Sequence, residues 1–112
     1  DAGHIELQYT ARASHAVNAA FGAPEGKAFG LIVGAPAAIG VVMADVAVKS
    51  ANVDVIGYAS PSAGTSNSNE VILQISGDSG AVRQAVISAR EVGKQLLSTM
   101  GDEPVNGAPS YI

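Results

Sequence analysis

AFGLIVGAPAAIGVVMADVAVKSANV, residues 28–53, packs three elements into one run. Ala28-Phe29-Gly30-Leu31-Ile32-Val33 is apolar on both faces, as a central strand is. Gly34-Ala35-Pro36 then turns the chain, and Pro36 suits the first turn of a helix. Ile39, Val42, Met43 and Val46 recur at i, i+3, i+4 and i+7, which predicts the buried face of that helix. Ala38, Ala44, Ala47 and Ala51 fill much of the remainder, so another element can approach closely. The helix is expected to stop near Asn52, and Val53 opens a strand that ends near Tyr58.

Working outward, Ile5-Glu6-Leu7-Gln8-Tyr9 alternates apolar and polar residues, the pattern of a half-buried strand. A short Ala-rich helix follows from Ser14 to about Phe21, and Gly22-Ala23-Pro24-Glu25-Gly26 breaks it. On the other side, residues 59–69 (ASPSAGTSNSN) form a loop by composition. Val71, Leu73 and Ile75 alternate with Gln74 in a fourth strand. Gly77-Asp78-Ser79-Gly80 opens a long helix that Asp78 or Ser79 can cap. Val82, Val86, Ala89, Gly93, Leu96 and Leu97 mark its buried face, and Gly101 suits its C-terminal cap. The order β-α-β-α-β-β-α predicts an α+β fold, a four-stranded antiparallel sheet with helices packed on one face. One domain is expected over residues 1–101, followed by an extended C-terminal arm over 102–112.

Hydrophobic residues make up 47% of the 112 and charged residues only 14%. A domain this small has little interior, so part of that apolar material is expected to face other protein. The net charge of −4, from 6 basic and 10 acidic residues, offers no basic field for nucleic acid. The absence of Trp argues against a base-stacking platform. With no cysteine there is no disulfide, zinc finger or Cys-ligated cluster. Asp1-Ala2-Gly3-His4 has no signal-peptide pattern. The longest uncharged run, Ala28 to Ala44, falls short of the ~20 residues of a membrane span, and Gly30, Gly34, Pro36 and Gly40 interrupt it.

No constellation for catalysis emerges. His4 and His15 have no metal-ligand spacing, and His15 reads as a surface or interface residue beside Arg12. No serine sits in a G-x-S-x-G elbow. Gly34 to Gly40 enters a helix but lacks the ending of a phosphate-binding loop, so close helix–strand packing is its expected use. The acidic residues are scattered. No catalytic residue, metal site or cofactor is therefore expected. The loop from Ser60 to Asn69 is too long for a tight hairpin and dense in hydroxyls and amides. It reads either as a solvated loop or as a polar rim that meets its own copies around a symmetry axis. Lys49 reads either as a charge compensating the helix dipole or as an edge residue whose stem packs on a neighbour.

Asp45-Val46-Ala47-Val48-Lys49-Ser50-Ala51-Asn52-Val53 resembles the D-x-x-x-K-[S/T]-A-N-V signature of bacterial microcompartment (BMC) shell domains, and Gly77-Asp78-Ser79-Gly80-Ala81-Val82 resembles the start of their second long helix. In ordinary members the chain begins at the strand here numbered 28–33. Here a strand and a short helix precede it, the order of the circularly permuted members of this ferredoxin-like fold. Gln8 to Arg12, Ser60 to Ser66, Asn69 to Leu73 and Pro109 to Ile112 resemble the C-terminal half of PduB- and EtuB-type tandem shell proteins. The resemblance covers almost the whole chain.

The resemblance implies a structural shell tile, hexameric or pseudohexameric, in a bacterial microcompartment of the cytoplasm. It implies self-assembly with other shell proteins, with the first half of a tandem chain as a further partner. It implies a polar pore for small metabolites such as a diol, glycerol, an alcohol or an aldehyde, and propanediol, glycerol, ethanol and ethanolamine pathways all stay open. Pore candidates are Ser60, Ser62, Gly64, Thr65, Ser66, Asn67 and Asn69. Tile-edge candidates are Lys49, Asn52 and Arg12. No nucleic acid, membrane or cofactor is implied. The competing reading is a small α+β sensor that binds a metabolite between subunits and uses the same loop as its pocket.

Overall fold

The computed structural model describes residues 3–60 and 70–102, with side chains described through residue 99. Its elements are β1 (His4–Thr10), α1 (His15–Phe21), β2 (Ala28–Ala35), α2 (Ala37–Ser50), β3 (Asp54–Ala59), β4 (Val71–Gly77) and α3 (Ser79–Asp102). The four strands form one antiparallel sheet in the order β1-β2-β4-β3. The expected strands and helices are therefore all present. The arm expected over 102–112 does not begin at Asp102, which is still helical, and the rest of it, residues 103–112, lies outside the described residues.

Strand alternation divides the core. Ala28 and Ile32 of β2 face the same way as Val71, Leu73 and Ile75 of β4, and α2 and α3 cover them with Ile39, Met43, Ala47, Val82, Ala85 and Ala89. Ile32, Met43, Leu73, Ile75 and Val82 are fully buried, and each such side chain contributes on the order of 1.5–3 kcal/mol. Phe29 and Leu31, one residue out of step, face the opposite side. There they meet Ala13, Val17, Ala23 and Ile56 in a second, smaller cluster. Phe21 of α1 stacks on Phe29 with ring centroids 5.1 Å apart.

This corrects the expectation that all helices share one face. Two lie on one side of the sheet, and α1 lies on the other. Phe29 and Leu31 make β2 apolar on both faces, and a strand buried on both faces needs cover on both.

Each end of α1 is closed locally. The Ser14 hydroxyl accepts from the Val17 amide at 3.3 Å, and Gly22 ends the helix in the left-handed conformation at φ 76°. Pro36 sits one step before α2, at its N-cap position, rather than in its first turn. At the start of α3 the Asp78 carbonyl takes the first helical bond from the Val82 amide at 2.9 Å. The expected stop at Gly101 is not observed, because helical geometry continues through it to Asp102.

The larger correction concerns the face that α2 buries. Ile39 and Met43 are inside as expected, but their companions are Gly40, Ala44 and Ala47. Val42 is exposed and Val46 only half-buried. The cause is how closely α2 approaches the sheet. A methyl group at Gly40 would come within 2.6 Å of the Gly34 carbonyl oxygen and of the Val71 Cβ. Only the helix face with the smallest side chains can lie that near β2, so the valines turn outward.

Gly40→Ala is therefore expected to destabilise the fold by about 1–3 kcal/mol through overpacking. Gly80→Ala is the control, because nothing lies within 4 Å of the added methyl. It is expected to leave stability unchanged or raise it by up to about 1 kcal/mol. Urea unfolding midpoints of the two variants measure both effects.

Candidate functional site

The valines that α2 turns outward do not stand alone. Sheet order places α3 above β1 and β2, and α2 above β2 and β4. The edge strand β3 is left without a helix. Val55 pairs with Ile75 and Tyr58 with Leu73, and cross-strand partners point to the same face. Val55 and Tyr58 thus look toward the helix layer, beyond the margin of α2. Val41, Val42 and Val48 on α2 and Val55 and Tyr58 on β3 are 39–60% exposed. Val41 and Val48, within about 20° of each other round the helix, lie on the side of α2 away from Met43 and its α3 neighbour Gly93. They make an apolar flank with Val55 and Tyr58. Val42, about 100° further round, lies outside it. Exposed apolar side chains that lie together and are rimmed by polar groups, here Asp45 and Lys49, mark surfaces that other protein covers.

The tile-edge candidates fall at one end of the strands. Lys49 lies in the last turn of α2, exposed, with its ammonium 3.0 Å from Asp45 one turn earlier. Asn52 follows the helix, exposed, and its carbonyl lies beside Gly77. Arg12 follows β1, also exposed. It lines an open cleft of about 540 Å³ with Lys27, Gly77, Asp78 and Ser79. The structure therefore brings all three to the end where β1 and β4 finish and β2 and β3 begin.

The residues that flank the polar loop lie at the opposite end. Ser60, exposed, follows β3, and Glu70 precedes β4. His4 of β1 reaches Glu70 at 3.7 Å across the small Ala35 of β2. Ser62, Gly64, Thr65, Ser66, Asn67 and Asn69 lie outside the described residues. Strands of six to eight residues separate the two ends by about 20 Å.

Among the described residues the titratable side chains stay scattered at the surface. Both histidines meet single glutamates at the surface, His15 with Glu25 at 2.9 Å and His4 with Glu70. The expected neighbourhood of His15 and Arg12 resolves into this pair with Glu25. Among the described residues no three metal-ligating side chains cluster, and no helix is long and apolar enough to cross a membrane. The one buried polar side chain without a partner among them is the Ser76 hydroxyl, and it does not line the cleft.

Sequence reasoning missed the apolar flank. The signal was available in the count of valines on α2, which exceeds what one buried face can hold, but the period alone placed Val42 inside.

Comparison with known proteins gives a consistent picture. The family model described as the BMC domain matches residues 28–103. A bacterial microcompartment shell protein PduB of Citrobacter freundii is 70% identical over the whole chain, which covers 42% of that protein. One of Limosilactobacillus reuteri is 63% identical over 99% of the chain, which covers 47% of it. The chain thus spans somewhat less than half the length of these curated relatives. The crystal structure of EtuB from Clostridium kluyveri superposes with a TM-score of 0.82 and 53% identity, over 90% of this chain and 44% of that one. A trimeric bacterial microcompartment shell protein PduB superposes with a TM-score of 0.78 and 62% identity, over 97% of this chain and 48% of that one.

Lys49→Ala removes only an exposed pair with Asp45. It is expected to change unfolding stability by less than about 0.5 kcal/mol, as thermal unfolding followed by circular dichroism will measure.

Proposed function

The chain belongs to the BMC-domain family of bacterial microcompartment shell proteins, and on that premise we propose that it is a structural tile of such a shell in the bacterial cytoplasm. Its work is association rather than catalysis. The observation that carries this reading is the uncovered apolar flank of α2 and β3. An isolated domain gains nothing from Val41, Val48, Val55 and Tyr58 in water, whereas a neighbour seated on them gains roughly 25 cal/mol for each Å² covered.

The lengthwise polarity of the domain gives the tile its orientation. We place the Ser60–Glu70 end at the ring axis, where the loop holding Ser62, Gly64, Thr65, Ser66, Asn67 and Asn69 becomes a polar rim. Hydroxyls and amides without charge suit the passage of small neutral polar metabolites, a diol, glycerol, an alcohol or an aldehyde. The Lys49, Asn52 and Arg12 end then points outward, toward neighbouring tiles. Other shell proteins are the proposed partners there, and the remaining half of a longer chain is the proposed partner within the ring.

A cyclic ring of single domains repeats one heterologous contact, each copy meeting the next through two different surfaces. Many such contacts, each weak, then hold a sheet together by multivalency.

Native mass spectrometry with negative-stain imaging of the purified chain tests the reading. Rings, or sheets built from rings, are the expected result. Val41→Asp combined with Val48→Asp is expected to leave a folded monomer, because both side chains are exposed in the single domain. Lys49→Ala is expected to keep the rings and lose the sheets. A wild-type chain that stays monomeric at all concentrations and saturably binds a small metabolite would replace the tile with a metabolite sensor.

A further inference from the structure

The alternation that sends Ile5, Leu7 and Tyr9 of β1 against the core beneath α2 and α3 turns His4, Glu6 and Gln8 to the other face of the sheet. On that face α1 packs toward the start of β2, at Phe29 and Leu31. The Ser60–Glu70 end of the same face holds acidic side chains instead. His4 pairs with Ala35 of β2, and Glu6 with Val33, whose other partner is Ile72 of β4. Glu70, two residues before Ile72, falls in the row of His4, and Glu6 lies one pleat further in. Strand spacings put Glu6 and Glu70 roughly 12 Å apart, on one face and at one end.

Glu6 is exposed and Glu70 half-buried. The one charged or titratable side chain among the described residues that reaches either is His4. Its Nε2 stands 3.7 Å from Glu70, beyond hydrogen-bond range. No Lys or Arg pairs with either glutamate among the described residues. Arg12 and Lys27 line the cleft at the other end of the sheet, and Lys49 holds Asp45. Arg83, Arg90 and Lys94 ride on α3, across the sheet. The Ser60–Glu70 end of this face therefore carries two carboxylates that no lysine or arginine neutralises.

We infer that Glu6 and Glu70 form a charge filter at the mouth of the ring, which admits neutral and cationic solutes and turns back anions such as carboxylates and phosphate esters. The inference rests on the tile reading and on the Ser60–Glu70 end lying at the ring axis. Each copy brings the same two carboxylates to the opening, so a field that is weak in one domain is repeated around the axis. Rings of acidic side chains select cations. A mouth lined by one sign of charge changes the local concentration of charged solutes by about tenfold or more. A small diol or alcohol has no charge on which the filter can act, and it passes.

Rings of the purified chain placed in a planar lipid bilayer test this. The reversal potential is read across a KCl gradient centred on about 0.01 M, where screening extends only over about 30 Å. Wild-type rings are expected to pass K+ over Cl− by roughly threefold or more. Glu6→Gln combined with Glu70→Gln is expected to bring that ratio to about one. Glu6→Asp combined with Glu70→Asp keeps both charges and is expected to keep the selectivity. Glu25→Gln, which removes an acid beside His15 at the other end of the sheet, is expected to leave it unchanged. Native mass spectrometry verifies that each variant closes the wild-type ring. If the double glutamine variant does not close, Glu70→Gln alone is read, with part of the loss expected.

Rings that conduct no ions, that pass K+ and Cl− equally, or that keep wild-type selectivity without the carboxylates overturn the inference while the tile reading stands. A loss as large in Glu25→Gln overturns it as well. If the wild type itself forms no ring, the tile reading fails and this inference with it.

Discussion

The contact between α2 and β2 at Gly40 and Gly34 sets the rest of the molecule. At Gly40 itself helix and strand come so near that a single methyl group would strike backbone, so that point of the joint takes only glycine. Gly40, Ala44 and Ala47 take the inner side of α2. The larger aliphatic residues Val41, Val42 and Val48 are then left facing out. An apolar outer surface is thus a geometric consequence of the tight inner one, and it is the surface on which the proposed association rests.

The strands add an axis to this surface. Ser60 and Glu70 fall at one end of the sheet, and the ends of α2, β1 and β4 fall at the other. The Ser60–Glu70 end, the opposite end with Lys49, Asn52 and Arg12, and the α2/β3 flank are the surfaces on which the proposed tile reading draws. None of them requires a titrating group, a metal or a deep pocket. The open cleft beside Arg12 and Lys27 gathers cations at the end proposed to face outward.

Much of this was legible in the residues themselves. Alternation in Ile5–Tyr9 and Val71–Ile75 placed the edge strand β1 and the inner strand β4, and the Ser14 and Gly22 punctuation bounded α1. What stayed hidden was three-dimensional cause. The period of Ile39, Val42, Met43 and Val46 is a sound helical face, yet the inner face was chosen by size rather than hydrophobicity, which no periodicity reports. The apolar pair Phe29 and Leu31 signalled that β2 is buried on both sides, but nothing local says that α1 is the element folding under it. Lys49, Asn52 and Arg12 lie far apart in sequence, and the strand order alone brings them to one end.

An electron cryomicroscopy structure of the assembled particle at side-chain resolution tests the central claim most directly, because it shows what covers Val41, Val48, Val55 and Tyr58. The account predicts that a neighbouring copy buries all four and that Ser60 and Glu70 lie nearest the symmetry axis. Particles in which these side chains stay open to solvent, or in which Lys49 lies nearest the axis, would contradict it.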